Sequence, residues 1–199
     1  MTELTPRPDV EGFAGQIADQ VESFLLALRA IAREADAGQA VSLLLLEISQ
    51  ILLAGARLGA QQDFVPRTEY QPDVGPEADL DDLRLRLADL LGNVDTFGFV
   101  FDPYVPEVVD SQLSDDLTSI AADLENGLRH YRSGDVAEAL WWWQFSYVSN
   151  WGALGAACLK ALLSVVSHDR LDAEIESEQE QIEAAEAVLD VAGPTPDPR

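Results

Sequence analysis

Apolar residues recur every three or four positions through most of this chain, and that spacing limits the fold more than any other feature. Phe13, Ile17, Val21, Phe24, Leu28 and Ile31 form one stripe and predict a helix over about 9–35. The segment of about 38–59 is apolar on most sides and predicts a second, central helix. Leu80, Leu83, Leu87 and Leu90 predict a third, opening near Pro76 and stopping at Gly92. Leu113, Leu117, Ile120, Leu124, Leu128 and Tyr131 predict a fourth over about 110–132, ended by Gly134. A fifth, about 136–167, follows at once, with Asp135 as N-cap and Glu138 in the capping-box position three residues on.

The connections are less regular. GAQQDFVPRTEYQPDVGP is rich in turn residues and reads as a loop. In NVDTFGFVFDPYVPEVV, Phe97, Phe99 and Phe101 alternate, while Pro103 and Pro106 forbid a regular helix. An extended aromatic loop packed on the helices is expected there. The fold class expected is therefore all-α: a single bundle of about five main helices over 8–168, with that aromatic loop. From Asp169 the chain turns acidic with sparse apolar residues, giving an acidic marginal helix or arm over 169–190 and a disordered tail over 191–199.

Charge narrows the choice of partner. The chain carries 36 acidic against 12 basic residues, a net charge of −24. Direct binding to nucleic acid or an anionic membrane needs a basic footprint, so neither is expected; a basic protein partner fits. Cys158 is the only cysteine. No basic segment followed by an apolar run opens the chain, and Val41–Ala56, interrupted by Glu47 and Gln50, reads as a buried helix rather than a membrane span. A reducing, cytoplasmic setting is expected.

All four tryptophans fall in ALWWWQFSYVSNWG, on the fifth helix. On a wheel of about 100° per residue, Trp141, Phe145, Val148, Trp151, Leu159, Leu162 and Val166 share one broad arc, and Trp143, Tyr147, Leu154 and Cys158 widen it. The opposite stripe carries Asp135, Glu138, Ser146, Ser149 and Asn150, with Trp142 in its middle. Two readings follow for Trp142. It covers the core edge with its indole N–H in water, or it anchors a partner or ligand with Ser146, Ser149 and Asn150 beside it. Gln144 lies inside the apolar arc and needs hydrogen-bond partners if buried. Gly152, Gly155 and Ala156 form a small-residue patch that Gly55 and Gly59 would match. On the second helix Glu47, Gln50 and Arg57 share a face. Glu47 is read as paired with an arginine inside the bundle, or else as a cleft acid with a raised pKa.

No catalytic or metal-binding constellation is present. His130, His168 and Cys158 are too few for an ordinary zinc site. No phosphate loop, dinucleotide fingerprint or nucleophile elbow occurs. The Glu-x-x-Glu pair beginning at Glu180 lies in the acidic arm, and Asp115, Asp116 and Asp123 on the fourth helix could bind a divalent ion but read first as a solvated helix face. No cofactor, metal or catalytic residue is expected.

Three stretches together, FVFDPY, LSDDLTSIAADLENGLRHYRSGD and EALWWWQFSYVSNWGALGAACLKAL, resemble the DUF5063 family, a bacterial and mainly actinobacterial domain of unknown function. SLLLLEISQILLAGARL is similar to it as well. The resemblance implies a single helical domain and leaves the acidic arm outside. Relatives often carry more polar residues, histidine among them, at the positions of Asn150 and Leu154, where this chain has NWGALGA.

The function expected is a non-enzymatic protein-interaction or regulatory module. The alternative is a small-molecule-binding or hydrolytic domain with a cleft between helices two and five, lined by Glu47, Gln50, Trp142 and Ser146. Oligomeric state stays open at this stage.

Overall fold

The computed structural model describes residues 10–66, 68–76 and 78–192. Residues 193–199, most of the tail expected to be disordered, lie outside it. The chain divides into two compact units, Met1–Leu162 and Leu163–Arg199. The first is built from α1 (Val10–Glu34), α2 (Ala37–Gly59), α3 (Asp81–Leu91), strands β1 (Thr96–Asp102) and β2 (Val105–Gln112), α4 (Leu113–Arg132), α5 (Val136–Ser146) and the start of α6 (Gly152–Ala192). Residues 163–192 of the second unit are helical. The fold is mostly α, as the apolar spacing predicts.

The predicted stripes fill the core. Ile17, Val21, Phe24 and Leu28 of α1, Leu44, Ile48 and Ile51 of α2, Leu87 of α3 and Leu117, Ile120 and Leu124 of α4 are all buried. Asp36 caps α2 by accepting the Gln39 N–H at 2.9 Å. Asp95 caps α4 from outside the helix. Its carboxylate accepts the Ser114 N–H at 2.8 Å and the Ser114 hydroxyl at 2.9 Å, and its carbonyl accepts the Leu113 N–H at 2.8 Å. Gly134 closes α4 with a φ of 89°, which an L side chain rarely adopts.

Four expectations need correction. The aromatic loop is an antiparallel hairpin, β1 paired with β2 through Phe97–Ser111 and Phe99–Val109. Period-two alternation was the strand signal, and the prolines do not oppose it. Pro103 falls in the turn, where the Asp102 carboxylate accepts the Tyr104 N–H at 2.9 Å, and Pro106 sits near the start of a strand in a two-stranded sheet. The third helix starts at Asp81 rather than Pro76. The second is not buried all round: Leu43, Leu46 and Leu53 are exposed while its other side packs. The fifth is broken by a π turn, Tyr147–Trp151, between α5 and α6.

That π turn explains the errors of the single wheel. Its extra residue rotates everything after it by about 100° relative to everything before. Trp151, Cys158 and Leu162 are buried as the arc requires. Phe145 and Val148, placed on the same arc, are 51% and 74% exposed, whereas Ser146 and Glu138, placed on the polar stripe, are buried. Ser146 and Ser149 each return their hydroxyl to the carbonyl four residues back, Trp142 and Phe145, at 2.7 and 2.8 Å. Such bonds bend a helix.

Glycines let the break pack. A Cβ at Gly55 would strike the Tyr147 and Trp151 rings, one at Gly59 would crowd Tyr147, and one at Gly155 would meet Leu52. Two stretches, Ala37–Gly59 and Val136–Ala173, are long and apolar enough to cross a membrane by length and composition alone. Core helices meet the same test, and α2 supplies Leu44, Ile48, Ile51 and Leu58 to the core.

Candidate functional site

Gln144 organises the surface beside α5. Its Nε2 donates to the carbonyls of Leu58 at 3.0 Å and Gln62 at 3.3 Å, and its Oε1 accepts the Phe64 N–H at 2.8 Å. It is the satisfied core glutamine expected, and it clasps the chain leaving α2. Phe64 then stacks on Phe13 at 6.3 Å between centroids, and Phe13 carries the Arg57 guanidinium 5.4 Å above it. This fixes one wall of a groove of about 440 Å³, formed by Asp63, Phe64, Val65 and Pro66. The other wall is Trp141, Gln144, Phe145, Val148 and Ser149. Trp141 and Phe145 stack nearly parallel, 5.4 Å apart at 13°. The groove is mostly apolar and carries one charge, Asp63.

Of the candidate binding residues Trp142, Ser146, Ser149, Asn150, Glu138, Glu47 and Gln50, only Ser149 lines this groove. Trp142 turns the other way. Its indole N–H donates to the Asp123 carbonyl on α4 at 2.8 Å, so it is not left to water as one reading required. Asn150 also faces α4, donating to the Asp123 carboxylate at 2.8 Å and to Ser119 at 3.4 Å. Burial raises the Asp123 pKa, and the Asn150 bond pulls it partly back. Ser146 is buried against the Trp142 carbonyl. Glu47 and Gln50 lie on the α1 side of α2, in a small cleft of about 140 Å³ with Asp19, Gln20 and Ser23.

The expected cleft joining Glu47 and Gln50 to Trp142 and Ser146 does not form, because the two pairs face different neighbours. The expected Glu47–arginine pair is absent among the described residues. Arg57 donates instead to Gln16 at 2.6 Å and Gln20 at 3.4 Å. Burial raises the Glu47 pKa.

A family model for a domain of unknown function, DUF5063, matches residues 8–168. The chain belongs to the DUF5063 family. No curated protein matches it. The crystal structure of protein BF1032 from Bacteroides fragilis is similar in fold to this DUF5063 chain, with a TM-score of 0.60 and 17% identity over 75% of this chain and 89% of that one. At that identity the likeness concerns the fold.

The DUF5063 domain also buries polar groups away from the groove. Gln71 lies 2.9 Å from His130 Nε2, and Arg129 donates to the carbonyls of Gly75 and Pro76, so the loop after α2 is fastened to the end of α4. His130 Nδ1 and both carboxyl oxygens of Glu138 are buried without a partner. The capping box is thus half made: Asp135 accepts the Glu138 N–H at 3.3 Å, but Glu138 returns nothing. Among the described residues no three His, Cys, Asp or Glu side chains are grouped to hold a metal ion.

Burial, then the charge of Asp135, raises the Glu138 pKa. A carboxyl held above its free value contributes stability at acid pH that is lost as pH rises through the raised value. Burial lowers the His130 pKa, which acts in the opposite sense, its contribution fading as pH falls through the lowered value. Glu138→Met keeps the length and removes the ionisable group. Where pH exceeds the raised value and the buried carboxyl ionises without a partner, the change should stabilise the domain by roughly 1–3 kcal/mol. The gain should shrink as pH falls through the raised value of the wild-type carboxyl. His130 is common to both proteins, so urea denaturation of the pair across a pH series isolates Glu138. A pH-independent difference would show that Glu138 does not titrate in this range.

Proposed function

We propose that this domain is a non-enzymatic protein-interaction module whose working surface is the groove between Phe64–Pro66 and Trp141–Ser149. The observation that carries the reading is the exposure of Phe145 and Val148 beside the stacked Trp141 ring, facing a wall that Gln144 holds in place. Soluble chains rarely leave a contiguous apolar surface without use. Tryptophan and its aromatic neighbours are frequent anchors at interfaces. The partner that fits is a basic protein segment with apolar side chains. Asp63 is the one charge on the lining, aromatic faces attract cations, and the net charge of −24 steers cations inward.

Photo-crosslinking tests this in the native host. A benzoyl-phenylalanine in place of Val148 should give a discrete adduct with one basic protein, and the same probe in place of the exposed Leu85 on α3 should not. Adducts that are diffuse, or equal at both positions, overturn the reading. The groove volume also falls in the range of small-ligand pockets, which supports the second reading, a small-molecule site. For hydrolysis the lining offers little: the Ser149 hydroxyl is directed to the Phe145 carbonyl, and no histidine lines the groove.

A further inference from the structure

A second cleft, of about 230 Å³, lies between α1 and α3. Its lining carries three of the twelve basic residues of a chain with 36 acids. Arg29 and Arg33 stand four residues apart near the end of α1, so they share a face, and Arg86 comes from α3. Each is tethered through one nitrogen. Arg29 Nη2 donates to Glu125 at 2.6 Å, Arg33 Nε to the Arg29 carbonyl at 3.0 Å and Arg86 Nε to Asp82 at 2.8 Å. Among the described residues no carboxylate pairs with Arg33, an exception in a chain so rich in acids. Glu125 does not line the cleft, so three guanidiniums there face two carboxylates, Asp79 and Asp82. Asp82 is taken by Arg86, and Asp79 accepts the Asp81 N–H at 3.2 Å. Ala32, Leu80 and Leu83 complete the lining with apolar surface.

We propose that this cleft binds a small phosphate monoester, with Arg29, Arg33 and Arg86 on the phosphoryl oxygens and the organic body against Leu80 and Leu83. The number of guanidiniums selects phosphoryl over carboxylate. One planar fork already takes both oxygens of a carboxylate, whereas a phosphoryl group offers three terminal oxygens to donors from two helices. The volume of about 230 Å³ is several times the roughly 30 Å³ share of one water, which leaves room for a small body beside the phosphoryl group. Charge selects a small molecule over a polyanion. The Debye length at physiological salt is about 8 Å, so the cleft's own surplus of cations decides what enters it. A strand of nucleic acid or an anionic bilayer would extend past the cleft onto the surface of a chain of net charge −24. The cleft shares no lining residue with the groove of Trp141 and Phe145, so the two sites stand or fall separately.

Phenyl phosphate is the probe. Titrated calorimetrically into the full chain at about pH 8, where the monoester is ionised, and about 0.15 M salt, it should saturate one site per chain with a Kd of about 1 mM or tighter. Arg33→Gln and Arg86→Gln should each weaken binding at least about tenfold. Arg33 is exposed and makes no ion pair, so the circular dichroism and urea midpoint of Arg33→Gln should match wild type. Arg132→Gln removes an arginine outside the cleft and should leave binding unchanged. Benzoate should bind at least about tenfold more weakly than phenyl phosphate. No saturation up to about 20 mM overturns the proposal. So does binding that Arg33→Gln leaves unchanged, that Arg132→Gln weakens equally, or that benzoate matches. A phosphoserine peptide that binds at least about tenfold tighter than phenyl phosphate would assign the arginines to a modified protein and overturn the small-molecule site as well.

Discussion

Trp151→Ala should destabilise the domain by roughly 3–5 kcal/mol, the usual cost of emptying a buried aromatic site. The ring is buried, stands 4.7 Å from Tyr147 and lies against Gly55, which has no side chain to move into the void. Its indole N–H has no partner, so the loss is one of packing and not of a hydrogen bond. The surroundings are poor at collapsing: Gly55 and Gly152 offer no atoms, and the π turn fixes Tyr147 from the other side. Urea denaturation of wild type and variant measures the difference. A loss below about 1.5 kcal/mol would mean that α2 and the π turn do not pack through this ring.

Gly127→Ala should also destabilise, by about 1–3 kcal/mol or more, against the normal sign of the change. In an open helix, glycine to alanine gains up to about 1 kcal/mol from helix propensity. At Gly127, inside α4, the new Cβ would overlap the indole of Trp143. Trp143 cannot retreat cheaply. It is fully buried, donates its N–H to the Leu124 carbonyl at 3.0 Å and packs 6.2 Å from the Tyr131 ring. Gly15→Ala on α1 provides the contrast, since its Cβ would meet only the Tyr131 hydroxyl at an ordinary 3.5 Å. That variant should be stabilised by a few tenths to 1 kcal/mol. Melting curves of the two variants should move in opposite directions, and a stabilised Gly127→Ala would disprove the close contact of α4 and α5.

The stripes of α1 and α4 were legible in sequence because each is one uninterrupted helix, so one wheel describes all of it. The cap at Asp36 is local, three residues before Gln39, whereas Asp95 is beyond local reading because it caps α4 from 19 residues before Ser114. The groove is not legible in the sequence for a related reason. Its walls come from the loop after α2 and from α5, which are joined by Gln144 reaching about 80 positions back along the chain to Phe64. The available signal was Gln144 itself: a glutamine on an apolar arc requires acceptors and donors, and whatever supplies them must be brought to it.

By itself the sequence determined the helices, the tight turn at Gly134, the acidity and the burial of Trp143 and Trp151. These follow from apolar period, from backbone freedom and from charge count, which are properties of neighbouring residues or of composition. Tertiary structure alone decided where the tryptophan stretch breaks and so which aromatics meet water. A π turn costs a helix little when partners accept the shifted side chains, and here Gly55 leaves room for Tyr147 and Trp151 to take them. That single inserted residue sends Phe145 and Val148 outward and Ser146 inward, and no wheel drawn on α5 and α6 as one helix contains it.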